Sequence, residues 1–191
     1  DPVEYHIPGV SQCQINEKTG MTFANGLRSI LRQDPDIISV GEIRDGETAG
    51  IAMRSAITGH LVMSTLHTND AVSAVYRLRD IGVEPWLIAS ALRGVISQRL
   101  VRKVCPHCKT AYQPSGEELA LLGMPEDVKA TFYKGTGCPE CHHTGYTGRR
   151  AAFEILMVNG EVRRLVNSDA PYDELLTAAK KNGYRTMRSE E

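Results

Sequence analysis

Four of the five cysteines are arranged in two pairs whose spacing is typical of a metal site. The pairs are Cys105-Pro-His-Cys108 and Cys138-Pro-Glu-Cys141, and 29 residues separate them. Each Cys-x-x-Cys turn presents two sulfurs to one edge of a tetrahedron, which is the geometry that Zn²⁺ prefers. Four thiolates complete the coordination shell and leave no position for a reactive water. The pattern therefore predicts a structural zinc site at Cys105, Cys108, Cys138 and Cys141.

Two alternatives compete with this interpretation. A pair of disulfides would use the same four cysteines, but the fifth cysteine, Cys13, makes the number odd, and we expect no secretion signal. His107, His142 and His143 could each replace a thiolate, although four cysteines already complete the shell. Both observations favour four thiolates on zinc.

Charged and polar residues also follow two short apolar runs, where a second kind of site could form. The run Ile37–Val40 leads into Gly41–Asp45, and another polar cluster follows the run Leu61–Leu66. An apolar strand that ends in an acidic residue has the general form of a Walker B segment, whose carboxylate serves the metal or the attacking water of a nucleoside triphosphate. Asp45 is in position to cap the next helix, whereas Glu42 precedes the cap and has no such structural explanation.

Two histidines flank the second apolar run. His60 directly precedes the run and His67 directly follows it, so a regular strand would place them on opposite faces. A single histidine is more often a hydrogen-bonded structural residue than a catalytic one. Each histidine therefore supports a functional site only as part of a larger pattern.

Helices and strands alternate in the first part of the chain, and these elements must position the candidate residues. Strand–helix–strand–helix order with short connections predicts an α/β domain with a mostly parallel sheet, in which ligands bind at the carboxyl ends of the strands. Two buried strands are expected, at Ile37–Val40 and at Leu61–Leu66. The expected helices are one with the apolar stripe Phe23, Leu27, Ile30 and Leu31, and one over 47–58 that Asp45 caps. Two more follow: a helix that Thr68 or Asn69 caps and that runs through Asp80, and a helix with Pro85 in its first turn.

Three regions follow from this organisation. Residues 1–104 form the α/β part, residues 105–150 form a zinc-binding insertion of loop-rich composition, and residues 151–191 form a small C-terminal α-helical part. We expect the last region to contain a strand at Phe153–Val158 and helices near 160–167 and 171–182.

The composition excludes several classes of protein. Lys and Arg total 22 against 23 for Asp and Glu, and the net charge of −1 gives no reason to expect nucleic acid as a partner. No apolar run approaches the roughly 20 residues of a membrane-spanning helix. The sequence begins with Asp1 rather than Met, so we expect it to be a piece of a longer protein.

Three longer segments together resemble the boxes of one ATPase family. Asp1–Tyr5 resembles the aspartate box of secretion ATPases, Leu31–Asp45 resembles their atypical Walker B segment, and Thr58–Asn69 is similar to their histidine box. The two cysteine pairs and Gly145–Arg149 also match, and the segments occur in the family's order over most of the chain. The family is that of the type II secretion ATPase known as general secretory pathway protein E, with the type IV pilus assembly ATPase as its close relative. The cysteine pairs count against the pilus-retraction branch, which generally lacks this insertion.

This resemblance implies a RecA-like core that assembles into a hexameric ring and hydrolyses ATP with Mg²⁺. Glu42 matches the Walker B carboxylate, which would polarise the attacking water or act as general base, and Glu4 matches the aspartate-box glutamate, which acts on the metal or the water beside it. His60 and His67 match the histidine box, where one of them would sense the γ-phosphate. The residues expected to contact the nucleotide and its metal are Asp1, Glu4, Glu42 and Arg44.

The same resemblance implies partners and a location. ATP turnover would load pseudopilin or pilin subunits through an inner-membrane platform protein, together with a cytoplasmic adaptor. The protein would then be cytoplasmic in a bacterium and peripheral at the inner membrane through these partners.

One part of the expected active site does not occur in the sequence. No Gly-x-x-x-x-Gly-Lys-Ser/Thr loop is present, although the backbone amides of that loop normally hold the phosphates. The family places this loop upstream of the aspartate box, so we expect it to precede Asp1 and we expect the 191 residues alone to be inactive. The competing hypothesis is a binding module whose zinc-bearing half docks the inner-membrane platform and whose α/β half is scaffold. A DNA-handling motor is disfavoured by the balanced charge.

Overall fold

The computed structural model describes residues 3–187 except 126 and 129. Seven α-helices and six β-strands lie in this part of the chain, with short 3₁₀ turns at Glu17–Thr19 and Pro139–Cys141. In chain order the elements are α1 (Phe23–Leu31), β1 (Ile37–Val40), α2 (Gly46–Ile57), β2 (Leu61–Ser64), α3 (Ser73–Asp80), α4 (Pro85–Ala91), β3 (Gly94–Val104), β4 (Lys109–Tyr112), α5 (Gly116–Leu122), β5 (Phe132–Gly135), β6 (Tyr146–Met157), α6 (Gly160–Asn167) and α7 (Tyr172–Lys181).

The strands β1 and β2 form a parallel pair, as the alternation of strands and helices predicts. Ile37 is opposite Leu61 and Val40 is opposite Ser64, so the carboxyl ends of both strands lie at the same edge. This arrangement allows residues that follow the two strands to meet, because parallel strands end on the same side of a sheet.

Only one face of this strand pair is covered in the described part of the chain. Ile38 and Val40 are buried in a hydrophobic core shared with the helices. Ile37, Leu61 and Met63 lie on the other face and are at least half exposed. The prediction of two fully buried strands is wrong, because no described element covers this second face.

The helices α2 and α4 begin where local sequence signals predict. Asp45 is the N-cap of α2, where its carboxylate accepts hydrogen bonds from the Thr48 backbone N–H at 2.8 Å and from the Thr48 hydroxyl at 2.9 Å. Pro85 occupies the first turn of α4. A capping carboxylate and an N-terminal proline each require only a few neighbouring residues, so both are readable from sequence.

The start of α3 differs from the prediction. Neither Thr68 nor Asn69 caps this helix, which begins at Ser73. Asp70 instead accepts hydrogen bonds from the Ser73 backbone N–H at 2.7 Å and from its hydroxyl at 2.6 Å. Val72, directly before the helix, is fully buried, so the segment that leads into α3 is held by core packing as well.

The chain divides into two units, each with its own buried cluster. The first unit comprises the residues up to Ser97 together with Glu154–Arg185, and the second contains residues 98–153. The strands β3 and β6 pair with each other, and each strand contributes residues to both units. The sequence did not indicate β3, and β6 begins at Tyr146 rather than at Phe153 as predicted.

The two C-terminal helices belong to the first unit. The helices predicted near 160–167 and 171–182 are observed as α6 and α7. Their residues Val162, Val166 and Leu175 are buried in the same core as the residues of α2 and α4. Within the described residues, no helix combines the length and the hydropathy needed to cross a bilayer.

The second unit is built around the antiparallel pair β4–β5 and the cysteines. Lys109 is opposite Gly135 and Tyr112 is opposite Phe132. A Cβ atom on Gly135 would overlap the carbonyl group of Gly145. Glycine is therefore required for the close approach of these two backbone segments, which flank the second cysteine pair.

Candidate functional site

The carboxyl ends of β1 and β2 bring two polar segments together. The backbone N–H of Ile43 donates to the Thr65 carbonyl at 3.1 Å, and the Thr65 hydroxyl donates to the Gly41 carbonyl at 2.7 Å. These hydrogen bonds join the two chain segments beyond the last paired residues of the strands. They thereby place Glu42 beside His67.

Glu42 lies at the centre of a charged cluster. It is only 5% exposed, its carboxylate pairs with the Arg44 guanidinium, and the Nε2 atom of His67 lies 3.5 Å from its Oε2 atom. The hydrogen bond from Arg44 lowers the pKa of Glu42, and the positive character of His67 acts in the same direction, although burial opposes both. Glu42 is therefore ionised at neutral pH and can accept hydrogen bonds.

The two partners of Glu42 face solvent. The side chain of Arg44 is 65% exposed and that of His67 is 93% exposed. The hydrogen bond to Glu42 raises the pKa of Arg44, so the guanidinium stays charged. An exposed cation and an imidazole can contact an anionic ligand, and a buried carboxylate can orient a water molecule or bind a hard cation such as Mg²⁺.

His60 lies at the other end of β2. Its Nδ1 atom is 3.0 Å from the Ser55 carbonyl oxygen and 3.4 Å from the Thr58 hydroxyl, and these contacts close the turn between α2 and β2. The structure therefore does not bring His60 to the cluster around Glu42. It places one of the two candidate histidines with the carboxylate and the other on the far side of the strand pair.

Two residues of the expected site come from the start of the chain. Glu4 is exposed in a segment that is neither helix nor strand. Among the residues that the structure describes, it forms no hydrogen bond or ion pair with Glu42 or His67. Asp1 lies outside the described residues.

A buried carboxyl group in β6 was not identified from the sequence. Glu154 is 4% exposed, and its Oε1 atom accepts a hydrogen bond from the backbone N–H of Ala71 at 2.7 Å. Ala71 comes four residues after His67. The sequence does contain one signal, an acidic residue inside the apolar run Phe153–Val158, because such a residue is buried only when partners satisfy it.

The four predicted cysteines meet in the second unit. Their Sγ atoms all lie within 4.8 Å of one another, and three of the pairs are 3.7, 3.9 and 3.9 Å apart. A tetrahedron with Zn–S bonds of about 2.3 Å has sulfur–sulfur edges of about 3.8 Å. The predicted clustering is confirmed, and the donor set can hold a metal ion with the geometry of zinc.

Backbone N–H groups point at some of these sulfurs. The Sγ atom of Cys141 accepts hydrogen bonds from the backbone N–H groups of Cys138 at 3.3 Å and of Gly145 at 3.2 Å. Although burial opposes the shift, these donors lower the pKa of Cys141 to about 6, whereas burial raises the pKa of Cys138 to about 11. Thiolate is the form that binds a metal, so the donors to Cys141 stabilise the binding form.

The structure distinguishes the four-thiol cluster from the two alternatives, a pair of disulfides and a histidine ligand. All five cysteines are free, so no disulfide joins the pairs, and Cys13 is exposed outside the cluster. His142 and His143 have left-handed backbone conformations, with φ of 50° and 60°, in the turn directly after Cys141. The candidate ligand set in the described part of the chain contains the four thiols and no histidine, so His107 is not part of it either.

The first unit has an α/β fold with parallel strands. Proteins of this class bind ligands at the carboxyl ends of the strands. The family model described as "Type II/IV secretion system protein" matches residues 1–191. The chain belongs to this family. Because the match covers the α/β part and the cysteine part together, the hypothesis of a separate binding module is not favoured.

Curated relatives carry the names of pilus and secretion proteins. The chain is 53% identical over 192 residues to the type IV pilus assembly ATPase PilB of Thermus thermophilus, covering 100% of the chain and 22% of the relative. It is 54% identical over 170 residues to the type II secretion system ATPase E of Vibrio cholerae, covering 89% of the chain and 34% of the relative. The type II secretion system protein HxcR of Pseudomonas aeruginosa is 50% identical over 190 residues, covering 100% and 37%. The chain thus spans 22% to 37% of the length of these relatives.

Two solved structures share the fold of this chain. The pilus retraction motor PilT with bound ADP matches with a TM-score of 0.53 at 29% identity, over 88% of this chain and 43% of that one. The ATPase DotB of Legionella pneumophila matches with a TM-score of 0.55 at 26% identity, over 87% and 36%. The predicted α/β fold class is confirmed.

Proposed function

We propose that this chain is part of an ATPase that powers type II protein secretion or type IV pilus assembly. The observation that carries the proposal is the cluster of Glu42, Arg44 and His67 at the carboxyl edge of the parallel strand pair. Family membership supports it, because relatives at 53% and 54% identity are named as ATPases of these two systems. Phosphoryl transfer depends on positioning and charge stabilisation, which such a cluster can provide.

In this proposal Glu42 orients or deprotonates the water that attacks the γ-phosphate. Its carboxylate is buried and ionised, so it is a proton acceptor in a fixed position. His67 contacts the γ-phosphate from the exposed side of the cluster, and Arg44 offers positive charge to the phosphates. Mg²⁺, when bound, neutralises charge on the β- and γ-phosphates, and Glu42 is the buried carboxylate that would hold it.

The start of the chain completes the metal side of the site in this proposal. Asp1 and Glu4 belong to the segment that resembles the aspartate box, and carboxylates are ligands that Mg²⁺ prefers. His60, in contrast, shapes the turn between α2 and β2 through its hydrogen bond to Ser55. We therefore assign the sensing of the γ-phosphate to His67 rather than to His60.

Replacing His67 by alanine in the complete protein tests this assignment. Loss of one charge-directed hydrogen bond in the transition state is worth about 3 kcal/mol, so we expect the turnover number to fall roughly 100-fold. The melting temperature and the assembly state should stay close to wild type, because the side chain is exposed. The measurement is the steady-state rate of ATP hydrolysis, normalised to assembled protein by sedimentation.

The substitution His60→Ala is the comparison for this experiment. It removes the hydrogen bond to the Ser55 carbonyl, so we expect a lower melting temperature and a smaller loss of turnover per folded protein. A rate for His67→Ala within about twofold of wild type, a difference under ~0.5 kcal/mol, would return His67 to a structural role.

The purified 191-residue chain should not hydrolyse ATP on its own. Its sequence lacks the Gly-x-x-x-x-Gly-Lys-Ser/Thr loop, whose backbone amides and lysine hold the phosphates in nucleotide hydrolases of this type. Phosphate release from this chain, measured beside the complete protein at equal concentration, checks the prediction. Hydrolysis at a comparable rate would show that another segment of the 191 residues binds the phosphates.

The assembly and location proposed for the complete protein follow from its family. We propose a homo-hexamer at the cytoplasmic side of the bacterial inner membrane, held there by a platform protein and a cytoplasmic adaptor. The four-cysteine cluster binds structural zinc in this proposal, because its sulfur–sulfur distances fit a tetrahedral ion.

A further inference from the structure

Glu154 carries a buried carboxyl group that the proposed chemistry does not use. It lies in β6 and is 4% exposed. A carboxyl group is stable in a protein interior only when hydrogen bonds or charges compensate the loss of water. The contacts of this side chain therefore indicate why an acidic residue occupies the position.

Its contacts connect two parts of the chain that are distant in sequence. The Oε1 atom of Glu154 accepts from the backbone N–H of Ala71 at 2.7 Å, across 83 residues of sequence. The side chain of Tyr184, which follows α7 and is also buried, interacts with the same carboxyl group. Burial and this interaction raise the pKa of Tyr184. Glu154 thus links Tyr184, just beyond α7, to Ala71, just before α3.

Ala71 is one of two fixed points of the segment that carries His67. It is fully buried, so water cannot replace Glu154 as the partner of its N–H group. The other fixed point is Thr65, whose hydroxyl donates a hydrogen bond to the carbonyl of Gly41, directly after β1. Residues 66–70 therefore form a five-residue span between two anchors, and this span carries the imidazole next to Glu42.

A second contact from α7 reaches the same segment. Tyr172, the first residue of α7, interacts with Asp70, and burial and this interaction both raise the pKa of the tyrosine. The Asp70 carboxylate also accepts hydrogen bonds from the backbone N–H and the hydroxyl of Ser73, at 2.7 and 2.6 Å. Two tyrosines therefore link α7 to the span that carries His67. Tyr172, at the start of α7, does so directly, and Tyr184, beyond the end of α7, does so through Glu154.

We propose that Glu154 is a positioning residue: through Ala71 it fixes the segment that holds His67 beside Glu42, and through Tyr184 it couples this segment to α7. The inference rests on the proposed function, since the position of His67 affects turnover only if His67 acts on the nucleotide. A displacement of about 1 Å in a catalytic arrangement can lower a rate roughly 100-fold. A change at Tyr184 would then alter turnover without contact between α7 and the nucleotide.

A double-mutant cycle in the complete protein tests the proposal. Glu154→Ala leaves the N–H group of Ala71 without its acceptor, and we expect the turnover number to fall roughly 10- to 100-fold while KM for ATP changes less than about twofold. In a His67→Ala background the same substitution should lower turnover less than about twofold, because no imidazole remains to be displaced.

Two conservative variants separate positioning from folding. Glu154→Gln keeps the Oε1 acceptor for Ala71, and we expect it to retain turnover within about threefold of wild type. Tyr184→Phe removes a single hydroxyl group, and it tests the coupling to α7 even if Glu154→Ala does not fold. We expect this variant to lower turnover roughly three- to tenfold, and again to have almost no effect in the His67→Ala background.

Tyr76→Phe is the matched control. Its hydroxyl donates to the Ala170 carbonyl at 2.9 Å, so this variant also removes one tyrosine hydroxyl that links α3 to the C-terminal helices. It leaves Glu154 and its partners unchanged, and we expect turnover to stay within about twofold of wild type. An equal loss in Tyr76→Phe and Tyr184→Phe would overturn the proposal, because the effect would then reflect general docking of the C-terminal helices.

The outcome for Glu154 can be separated from the outcome for the proposed function. Suppose that His67→Ala lowers turnover, but that Glu154→Ala lowers turnover by the same factor in the wild-type and the His67→Ala backgrounds. The positioning role then fails and the proposed function stands. If His67→Ala and Glu42→Gln both leave turnover unchanged, the proposed function itself fails, and the positioning role fails with it. Loss of activity that follows only the loss of folded protein, with normal turnover per folded protein, would also overturn the positioning role.

Discussion

Substitution of Glu42 by glutamine in the complete protein should lower the rate of ATP hydrolysis roughly 100- to 10,000-fold. Glutamine keeps the shape of the side chain and can still accept a hydrogen bond from Arg44, but it cannot take a proton from water. We expect KM for ATP to change by less than about threefold, because other groups bind most of the nucleotide. The turnover number and KM, from steady-state phosphate release, are the quantities to measure.

This loss should come from the chemistry and not from unfolding. Arg44, the partner of Glu42, has a mostly exposed side chain, and a pair with one solvated partner contributes little to stability. The melting temperature of the variant should therefore lie within about 4 °C of wild type. Arg44 also lowers the pKa of Glu42, so wild-type turnover should persist below the ordinary pKa of a glutamate before protonation of the base reduces it.

Glu47→Gln is the matched control for Glu42→Gln. Glu47 follows closely in sequence, but its side chain is exposed on α2 and forms an ion pair with Arg28 at 2.6 Å. We expect its turnover to stay within about twofold of wild type, because an exposed pair contributes little to stability or chemistry. Wild-type turnover in Glu42→Gln would show that the base is elsewhere, and so would an equal loss in both variants.

The parts of the fold that could be predicted are those that short sequences determine. The cap of α2 requires only Asp45 and the N–H group of Thr48, and the start of α4 requires only Pro85 with its fixed φ. The parallel pairing followed from the order of strands and helices. In the same way, each cysteine pair is a local turn, and two such turns at this spacing form one cluster of four thiols.

Contacts between distant residues determine what the sequence did not reveal. Thr68 and Asn69 are suitable caps by residue type, yet α3 begins later. The N–H group of Ala71, close to those positions, is bound to Glu154, which lies 83 residues away. The hydrophobic pattern of β2 is that of a buried strand, but burial depends on which elements cover each face, and Leu61 is exposed in the described structure.

The candidate site was predictable to the extent that strand direction determines it. Glu42 follows β1 and His67 follows β2, so parallel pairing places them at one edge. His60 precedes β2, and the same argument puts it at the opposite edge, where it is found. Glu4 belongs to no regular element, so no periodic pattern could position it.

Replacing Cys108 by serine should remove zinc and abolish the folded structure around the cysteine cluster. We expect elemental analysis to give about one zinc per chain for wild type and almost none for the variant. Amide hydrogen exchange across residues 105–150 should lose most of its protection. Amides of α2 and α4, in the first unit, should keep theirs, because that unit has its own hydrophobic core.

The reason for so large an effect is the composition of the cluster. The buried residues at the centre of the second unit are Cys105, Cys108 and Cys141, with Cys138 packed against them. Apolar burial there is small, and a serine hydroxyl is a much weaker zinc ligand than a thiolate. Zinc binding contributes about 10–16 kcal/mol in zinc-finger peptides, which is comparable to the total stability of an ordinary domain, about 5–15 kcal/mol.

Cys13→Ser makes the same atomic change at an exposed thiol outside the cluster, so it is the matched control. Its zinc content and its exchange across 105–150 should equal those of wild type. If removal of the metal with a chelator left the exchange of this region unchanged, then the buried thiols would pack without an ion and the structural role of zinc would be wrong. If Cys108→Ser instead exposed α2 and α4 as well, the folding of the two units would depend on each other, and the separate cores would not be independently stable.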